Sequence, residues 1–406
     1  MRRILFAWEL GANFGHLARN LAVARPLRAA GHEVLFAVRD TRTAEELLAP
    51  DGFGFVQAPS APGLRSGKPQ VSYADVLAVH GFDDAHSLLG RVRAWASLYE
   101  LLQPDVIVID HAPTALLAGR LRGLSMILLG SGFDVPPLVT PVPPIRLWET
   151  TPEEALVAAE ARVVATINRA LDGSTARPIT RLVDIFAGVP IMRATFPELD
   201  HYGTQSGVTY VGSIGLNSSN AAQQVAWPRT RGLPRVLAYL RMSLPCLPNL
   251  LDALAKFPAE VICVVPGCTP AMAERHRAPR LRIFDRALRL PELLPDTDLM
   301  ISYGGTATVA GSLLAGVPLL LASQAVEQQM VAMRVGALGA GVVMNLERKT
   351  GDFLRALAEA TGNPRYKAAA RKFAKQYSTF HQEQAVERVM VAIRQAAAGR
   401  GLECCA

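Results

Sequence analysis

Residues 298–329 read DLMISYGGTATVAGSLLAGVPLLLASQAVEQQ, and the punctuation of this stretch decides the fold. Residues 299–304 begin with a short apolar run that fits a buried strand. Gly304 and Gly305 break it. Residues 306–315 are small and apolar and suit a helix, which Gly316 and Pro318 close. Residues 318–323 are apolar again. A strand, a turn, a helix and a second strand, with both strands apolar on both faces, make a parallel βαβ unit covered by helices.

The same alternation runs outward in both directions. Before this stretch come the strand-like runs RVLAYLRM (235–242), AEVICVVPG (259–267) and LRIFD (281–285), and after it GVVMN (341–345). The chain then turns helical over roughly 351–361, 364–376 and 381–397. The first third repeats the pattern, with strands expected at 2–9, 31–39, 104–110 and 125–130 and a helix from about His16 to Ala30 that must accommodate Pro26. Two further strands are expected in IMRATF and TYVGSI, and a helical stretch over 153–187. Residues 59–72 and 131–152 are rich in Pro, Gly and Ser and read as long loops, which in compact domains often carry function. The expected architecture is α/β, with two doubly wound parallel-sheet domains of Rossmann-like type facing a cleft. The first spans 1–215, a polar linker 216–234, the second 235–378, and a last helix and tail, 379–406, is expected to pack back on the first domain.

Composition narrows the function classes. The 406 residues are half apolar and carry a formal net charge of +7, which suits two sizeable cores. Basic residues are scattered, without the aromatic interleaving of a nucleic-acid surface. The densest cluster is Arg365, Lys367, Arg371, Lys372 and Lys375 at helical spacing. It reads first as a solvated helix face, and second as a peripheral contact with an anionic membrane or a phosphorylated substrate. The five cysteines form no C-x-x-C pair, and Cys404 and Cys405 are adjacent in the tail, which fits a reducing, cytoplasmic setting. The apolar run before Glu9 is too short for a signal peptide, and the most apolar window, 306–323, breaks into helix and strand, so no transmembrane span is expected.

The glycine turn has its own chemistry. At the carboxyl end of a strand, Gly304 and Gly305 let backbone come close to a ligand. The helix that follows opens with free N–H groups and the positive end of its dipole, which suits a diphosphate, and Thr306 and Thr308 can add hydroxyl donors. The plain alternative is an ordinary tight turn.

Gly15-His16 after the first strand, GHEV after the first helix, Asp110 ending a strand, TYVGSIG before the linker and SYGGTATVAGSLLAGVPLLLASQAVEQ recur at corresponding places in GT-B glycosyltransferases. The chain resembles the bacterial branch of the family-1, UDP-glycosyltransferase-like enzymes along nearly its whole length. The likeness is most specific over 298–341 and around His16, and weak over 60–100 and 140–190. It implies an inverting transfer of a hexose from a UDP- or dTDP-sugar, held by the second domain, to a hydroxyl of a small acceptor held by the first. It implies no cofactor beyond that co-substrate.

The resemblance assigns roles residue by residue. His16 is the base that deprotonates the acceptor hydroxyl, a task its ordinary pKa range suits. Asp110 orients the imidazole and stabilises its charged form, as in a triad. Its plain alternative is a helix cap, and His111 beside it is expected to point the opposite way. Tyr303, Gly304, Gly305, Thr306 and Thr308 cradle the diphosphate. Glu327 and Gln328 bind sugar hydroxyls, and Ser243 lies in the small turn near the phosphates. The chain departs from the family at three positions. Tyr303 stands where a histidine is usual, Gly311 where a ribose-binding glutamate is usual, and Ala287 near the place of a base-stacking tryptophan. A phenol can donate one hydrogen bond but carries no positive charge, a charge Arg241 could supply.

Asp296 and Asp298 form a D-x-D that in other transferases holds a divalent ion. Here the pair precedes its strand and lies a strand length from the glycine turn, too far to coordinate the same phosphate, so no metal is expected. Two other readings remain. One is a GT-B scaffold that binds nucleotide sugars with weak or no transfer. The other is a nucleotide-sugar epimerase, for which no second set of acid and base residues is evident. The acceptor-facing loops carry Phe133, Val135, Leu138, Leu147 and Trp148, which point to an apolar or aromatic acceptor. Oligomeric state is not legible.

Overall fold

The computed structural model describes residues 1–11, 14–61, 69–174, 177–215, 223–228, 232–344 and 350–399. The chain divides into two compact units, one formed by Met1–Gly215 with Gln382–Ala406, the other by Leu216–His381. Each is built on a wholly parallel sheet, and the two follow the same winding.

In the first unit the strands are β1 (Arg3–Trp8), β2 (Glu33–Val38), β3 (Gly54–Gln57), β4 (Val106–Asp110), β5 (Met126–Gly130), β6 (Ile191–Arg193) and β7 (Thr209–Tyr210). Their order in the sheet is β3-β2-β1-β4-β5-β6-β7. β1, β4 and β5 are buried on both faces, the burial pattern their unbroken apolar runs require. The order reverses between β1 and β4, and the register there pairs Ala7 with Ile109 and Trp8 with Asp110. In such sheets the crevice beyond the strand ends at this reversal is where ligands bind.

The second unit holds β8 (Arg235–Tyr239), β9 (Glu260–Val264), β10 (Leu281–Phe284), β11 (Leu299–Ser302), β12 (Leu319–Leu321) and β13 (Gly341–Val343), in the order β10-β9-β8-β11-β12-β13. The reversal lies between β8 and β11, with Ser302 opposite Tyr239. Its core joins β8, β9 and β11 to the helices Leu247–Lys256 and Thr350–Gly362, through Leu250, Leu251, Leu254, Phe353 and Leu357.

Several elements depart from expectation. β3 was not anticipated: it lies at the sheet edge, contains Gly54, and its ends are exposed, so it lacks the apolar run that marks the inner strands. The helix Phe14–Ala29 continues through Pro26 in its last turn, where the proline offers no N–H to the Ala22 carbonyl. Residues 73–102 are largely helical, ending in the helix Ala85–Leu102 that Asp84 caps. The stretch 153–187 is not one helix. It runs over Glu153–Ala170, turns at Gly173 (φ +75°), and finishes in a short 3-10 segment, Leu182–Phe186. Of the expected linker only 223–228 and 232–234 are described, and Asn345, Cys404, Cys405 and residues 62–68 lie outside the described residues.

The last helix, Gln382–Ala397, belongs to the first unit. It packs on the helix Phe14–Ala29 and on β4 and β5, buries Val386, Val389 and Ile393, and ties Arg388 to the carbonyl of Val211 at 2.7 Å. Cys246, Cys263 and Cys268 are buried free thiols. No helix among the described residues is long and apolar enough to cross a membrane.

Candidate functional site

At the reversal of the first sheet, β1 feeds a loop that leads into the helix carrying His16, and β4 delivers Asp110. His16 Nδ1 lies 2.8 Å from Asp110 Oδ1. That contact fits an Nδ1–H donated to the carboxylate, which leaves Nε2 with a free lone pair. The imidazole stacks on Trp8, with ring centroids 5.3 Å apart. Nε2 faces Gly11, whose φ is +87° and where an added Cβ would come within 2.4 Å of it. Only a glycine allows the loop to pass the ring so closely.

Asp110 is fully buried and serves three donors. Besides His16, the Arg19 guanidinium reaches Oδ1 at 2.5 Å and the Asn20 amide reaches Oδ2 at 2.8 Å. Burial pushes its carboxyl up, but Arg19 first, then His16 and Asn20, outweigh that and hold it well below the usual carboxylate range. Arg19 and Asn20 were not singled out in the sequence. Their signal was spacing: at three and four residues beyond His16 they share its helix face.

Glu9, just after β1, is also fully buried. It accepts the Thr114 hydroxyl at 2.5 Å and the Thr114 N–H at 2.9 Å, so the N-terminal cap of the helix Pro113–Leu121 is Glu9 and not Asp110. Burial raises its carboxyl to about 7 against the pull of those bonds and of Arg91.

His111 does not point away from His16. Its φ of +46° breaks the strand alternation, and its ring lies 6.3 Å from that of His16, centroid to centroid, and 6.0 Å from that of Tyr73. Burial pushes its imidazole down to about 3, so the ring is neutral.

The reversal of the second sheet carries a different set. Gly304 has φ +96°, and a Cβ there would sit 3.1 Å from the Gln328 carbonyl. Gly305 starts the helix Thr306–Leu314, and no side chain caps it, so the first-turn N–H groups stay available. Thr306 and Thr308 are partly exposed in that turn. The Tyr303 ring folds over Gly305, and the Arg241 guanidinium lies 3.7 Å above its centroid. Ser243 is exposed, its carbonyl accepting a 2.7 Å bond from Gln324 Nε2, which ties the loop after β8 to the loop after β12. Gln324 was not singled out by the sequence.

Glu327 opens the helix Val326–Ala337, is partly exposed, and has no hydrogen bond or ion pair among the described residues. Gln328 is buried, with Oε1 accepting the backbone N–H groups of Gln324 and Ala325. Gly311 lies along the helix that follows the glycine turn, and the Ala287 carbonyl accepts Gln223 N–H at 3.0 Å. Asp296 and Asp298 lie before β11, away from the glycine turn. Asp296 pairs with Arg235 at 3.3 Å, and Asp298 with Lys367 at 2.6 Å.

Residues 248–393 match the family model of the erythromycin biosynthesis protein CIII-like C-terminal domain. The PGL/p-HBAD biosynthesis rhamnosyltransferase of Mycobacterium bovis is 24% identical over 387 residues, which is 92% of this chain and 84% of that one. Among solved structures, the spinosyn rhamnosyltransferase SpnG superposes with a TM-score of 0.65 at 20% identity, covering 96% of this chain and 100% of its own. The glycosyltransferase VinC, solved in complex with dTDP, superposes at 0.62 and 20% identity over 98% of this chain and all of its own. With these likenesses beside two matching βα windings, the chain is a glycosyltransferase of the GT-B fold, similar to bacterial family-1-like enzymes.

Proposed function

We propose that the protein is an inverting glycosyltransferase that moves a hexose from a dTDP- or UDP-sugar to a hydroxyl of a small, apolar acceptor, without a metal. The observation that carries this is the 2.8 Å contact between His16 Nδ1 and Asp110 Oδ1 beside a glycine that leaves Nε2 accessible. Nε2 takes the proton of the acceptor hydroxyl. The oxygen forms a bond to the anomeric carbon from the face opposite the leaving group. The carbon–oxygen bond to the diphosphate breaks, and its electron pair leaves on the phosphate oxygen. Asp110, held ionised by Arg19, stabilises the imidazolium that results.

The second unit supplies the donor's contacts. The uncapped helix N-terminus at Thr306, with Gly304 and Gly305 allowing close approach, receives the diphosphate. Arg241, stacked on Tyr303, gives the positive charge that the phenol lacks, and the Ser243 hydroxyl adds a donor. Glu327 accepts sugar hydroxyls, and Gln328 fixes the loop from which it projects. The carboxylates of Asp296 and Asp298 are engaged by Arg235 and Lys367, so the diphosphate's charge falls to the helix and to Arg241. VinC is a dTDP complex and the mycobacterial relative is named a rhamnosyltransferase, which favours dTDP-deoxyhexoses as the first donors to try.

Nucleotide release and thermal shift are measured with a panel of dTDP-, UDP- and GDP-sugars. Release with dTDP- or UDP-donors, and loss of transfer in His16→Ala, are the expected results. Neither release nor a shift with any nucleotide would overturn the proposal in favour of a scaffold without transferase activity.

A further inference from the structure

Beside His111 lies a small, partly open cavity of about 10 Å³, lined by Tyr73, His111, Asp134, Leu116, Leu128 and Phe186 among others. It has room for about one water. Two polar atoms in this cluster have no hydrogen-bond partner, the Tyr73 hydroxyl and His111 Nε2. Tyr73 is 0% exposed and His111 7%. Orphaned buried donors and acceptors are rare in folded proteins because each forfeits its bonds to water. Here the two residues that carry them line one cavity. His111 is moreover held at φ +46°, a strained conformation for a residue other than glycine, of the kind that collects at ligand sites. Phe133 is the partly exposed ring above the cluster, edge-on to both Tyr73 and His111 at 6.4 and 6.2 Å.

We infer that Tyr73 and His111 form a second polar subsite for the acceptor, one that recognises an uncharged oxygen carried on the same apolar body as the reacting hydroxyl. The inference rests on the reading of His16 as the acceptor's base. The His16 and His111 rings are 6.3 Å apart, so the two acceptor oxygens are separated by one or two fused rings. Tyr73 donates its hydroxyl proton, and the neutral imidazole can donate or accept at Nε2. The pair therefore suits a hydroxyl or a carbonyl. A carboxylate is disfavoured, because Asp134 is buried in the same lining and Arg193 keeps it ionised against the effect of burial. The walls are apolar and aromatic, and Phe133, which borders solvent, rotates to admit the ring system.

Three probes share one reacting phenol and differ in the far group: naphthalene-2,6-diol, 2-naphthol and 6-hydroxy-2-naphthoate. Binding to the full chain is measured by titration calorimetry, which needs no turnover. The diol is expected to bind about tenfold or more tighter than the naphthol, the size of a hydrogen bond made to groups otherwise left unpaired, and the naphthoate weakest. Tyr73→Phe, and His111→Asn, whose side chain tolerates a positive φ, are expected to bring the ratio of diol to naphthol affinity within about twofold. Tyr73→Phe should keep or raise the melting temperature, since it deletes a buried hydroxyl without a partner. Equal binding of diol and naphthol, no binding of either, or a preference that survives both variants overturns the subsite. A preference that behaves as expected, alongside no transfer from any donor, leaves the subsite standing and removes the transferase reading instead.

Discussion

The two sheets reverse their strand order at equivalent points, yet the residues gathered there could hardly differ more. Beyond β1 and β4 the charges are buried and locked. Asp110 is out of reach of water and accepts from His16, Arg19 and Asn20 at once. Beyond β8 and β11 the groups are partly exposed and unfinished: an uncapped helix start, a guanidinium resting on a phenol, and Glu327 without a partner among the described residues. On the proposed reading the first set holds a base, which has to meet its proton in one orientation, so its surroundings are settled in advance. On the same reading the second set receives a diphosphate, which brings its own acceptors, so its groups are left open until it arrives.

The sharpest way to break this contrast is Asp110→Asn. The amide cannot stabilise the imidazolium, and it leaves Arg19 buried without its counter-charge. Transfer, read as kcat/KM, should fall on the order of 10³–10⁴-fold, while nucleotide binding, read by thermal shift, persists. A loss under tenfold would mean that the buried set does not govern catalysis. Next in size is the pH response of Glu9. Its carboxyl ordinarily titrates near 4.5 and is raised to about 7 in the fold, so the folded state holds a proton that the unfolded state has released. Stability therefore falls as pH rises from about 4.5 to 7, by about 3 kcal/mol in all, and is flat above. Chemical denaturation across that range should show the fall in the native chain and its absence in Glu9→Gln, whose amide can still bond Thr114.

The open side should respond more weakly. Arg241→Ala is expected to raise the donor KM about tenfold, the scale of one charge-assisted hydrogen bond, and Tyr303→His in that background to recover part of it. No recovery would show that the charge belongs to the guanidinium's position and not to the pair. Smallest is Tyr303→Phe. If the ring serves as the platform for Arg241, steady-state kinetics should move less than about twofold; a larger change would make the phenol a direct donor.

The inner strands were legible because being buried on both faces demands unbroken apolar runs, and β1, β4, β8 and β11 have them. β3 was not, because an edge strand with a glycine and exposed ends has no such demand. That His16 and Asp110 lie together was legible through their place at strand ends and through the family resemblance. Arg19 was not: an arginine on a helix reads as solvated until something buried is known to face it. The orientation of His111 was misjudged because strand alternation was carried one residue too far, past the point where its backbone turns left-handed. The Tyr303–Arg241 stack was half visible, since the missing charge could be noticed in the sequence but the ring beneath the guanidinium could not.

The helix Gln382–Ala397 has a consequence for synthesis. It completes the first unit, yet it follows all 166 residues of Leu216–His381 in the chain. At roughly 5–20 residues per second, the seat for Val386, Val389 and Ile393 against β4, β5 and the first helix stays empty for roughly 10–30 s after Gly215 has been made. The second unit is therefore made in full before the first is complete, and β4 and β5, which end at Asp110 and Gly130, are the last strands to be covered.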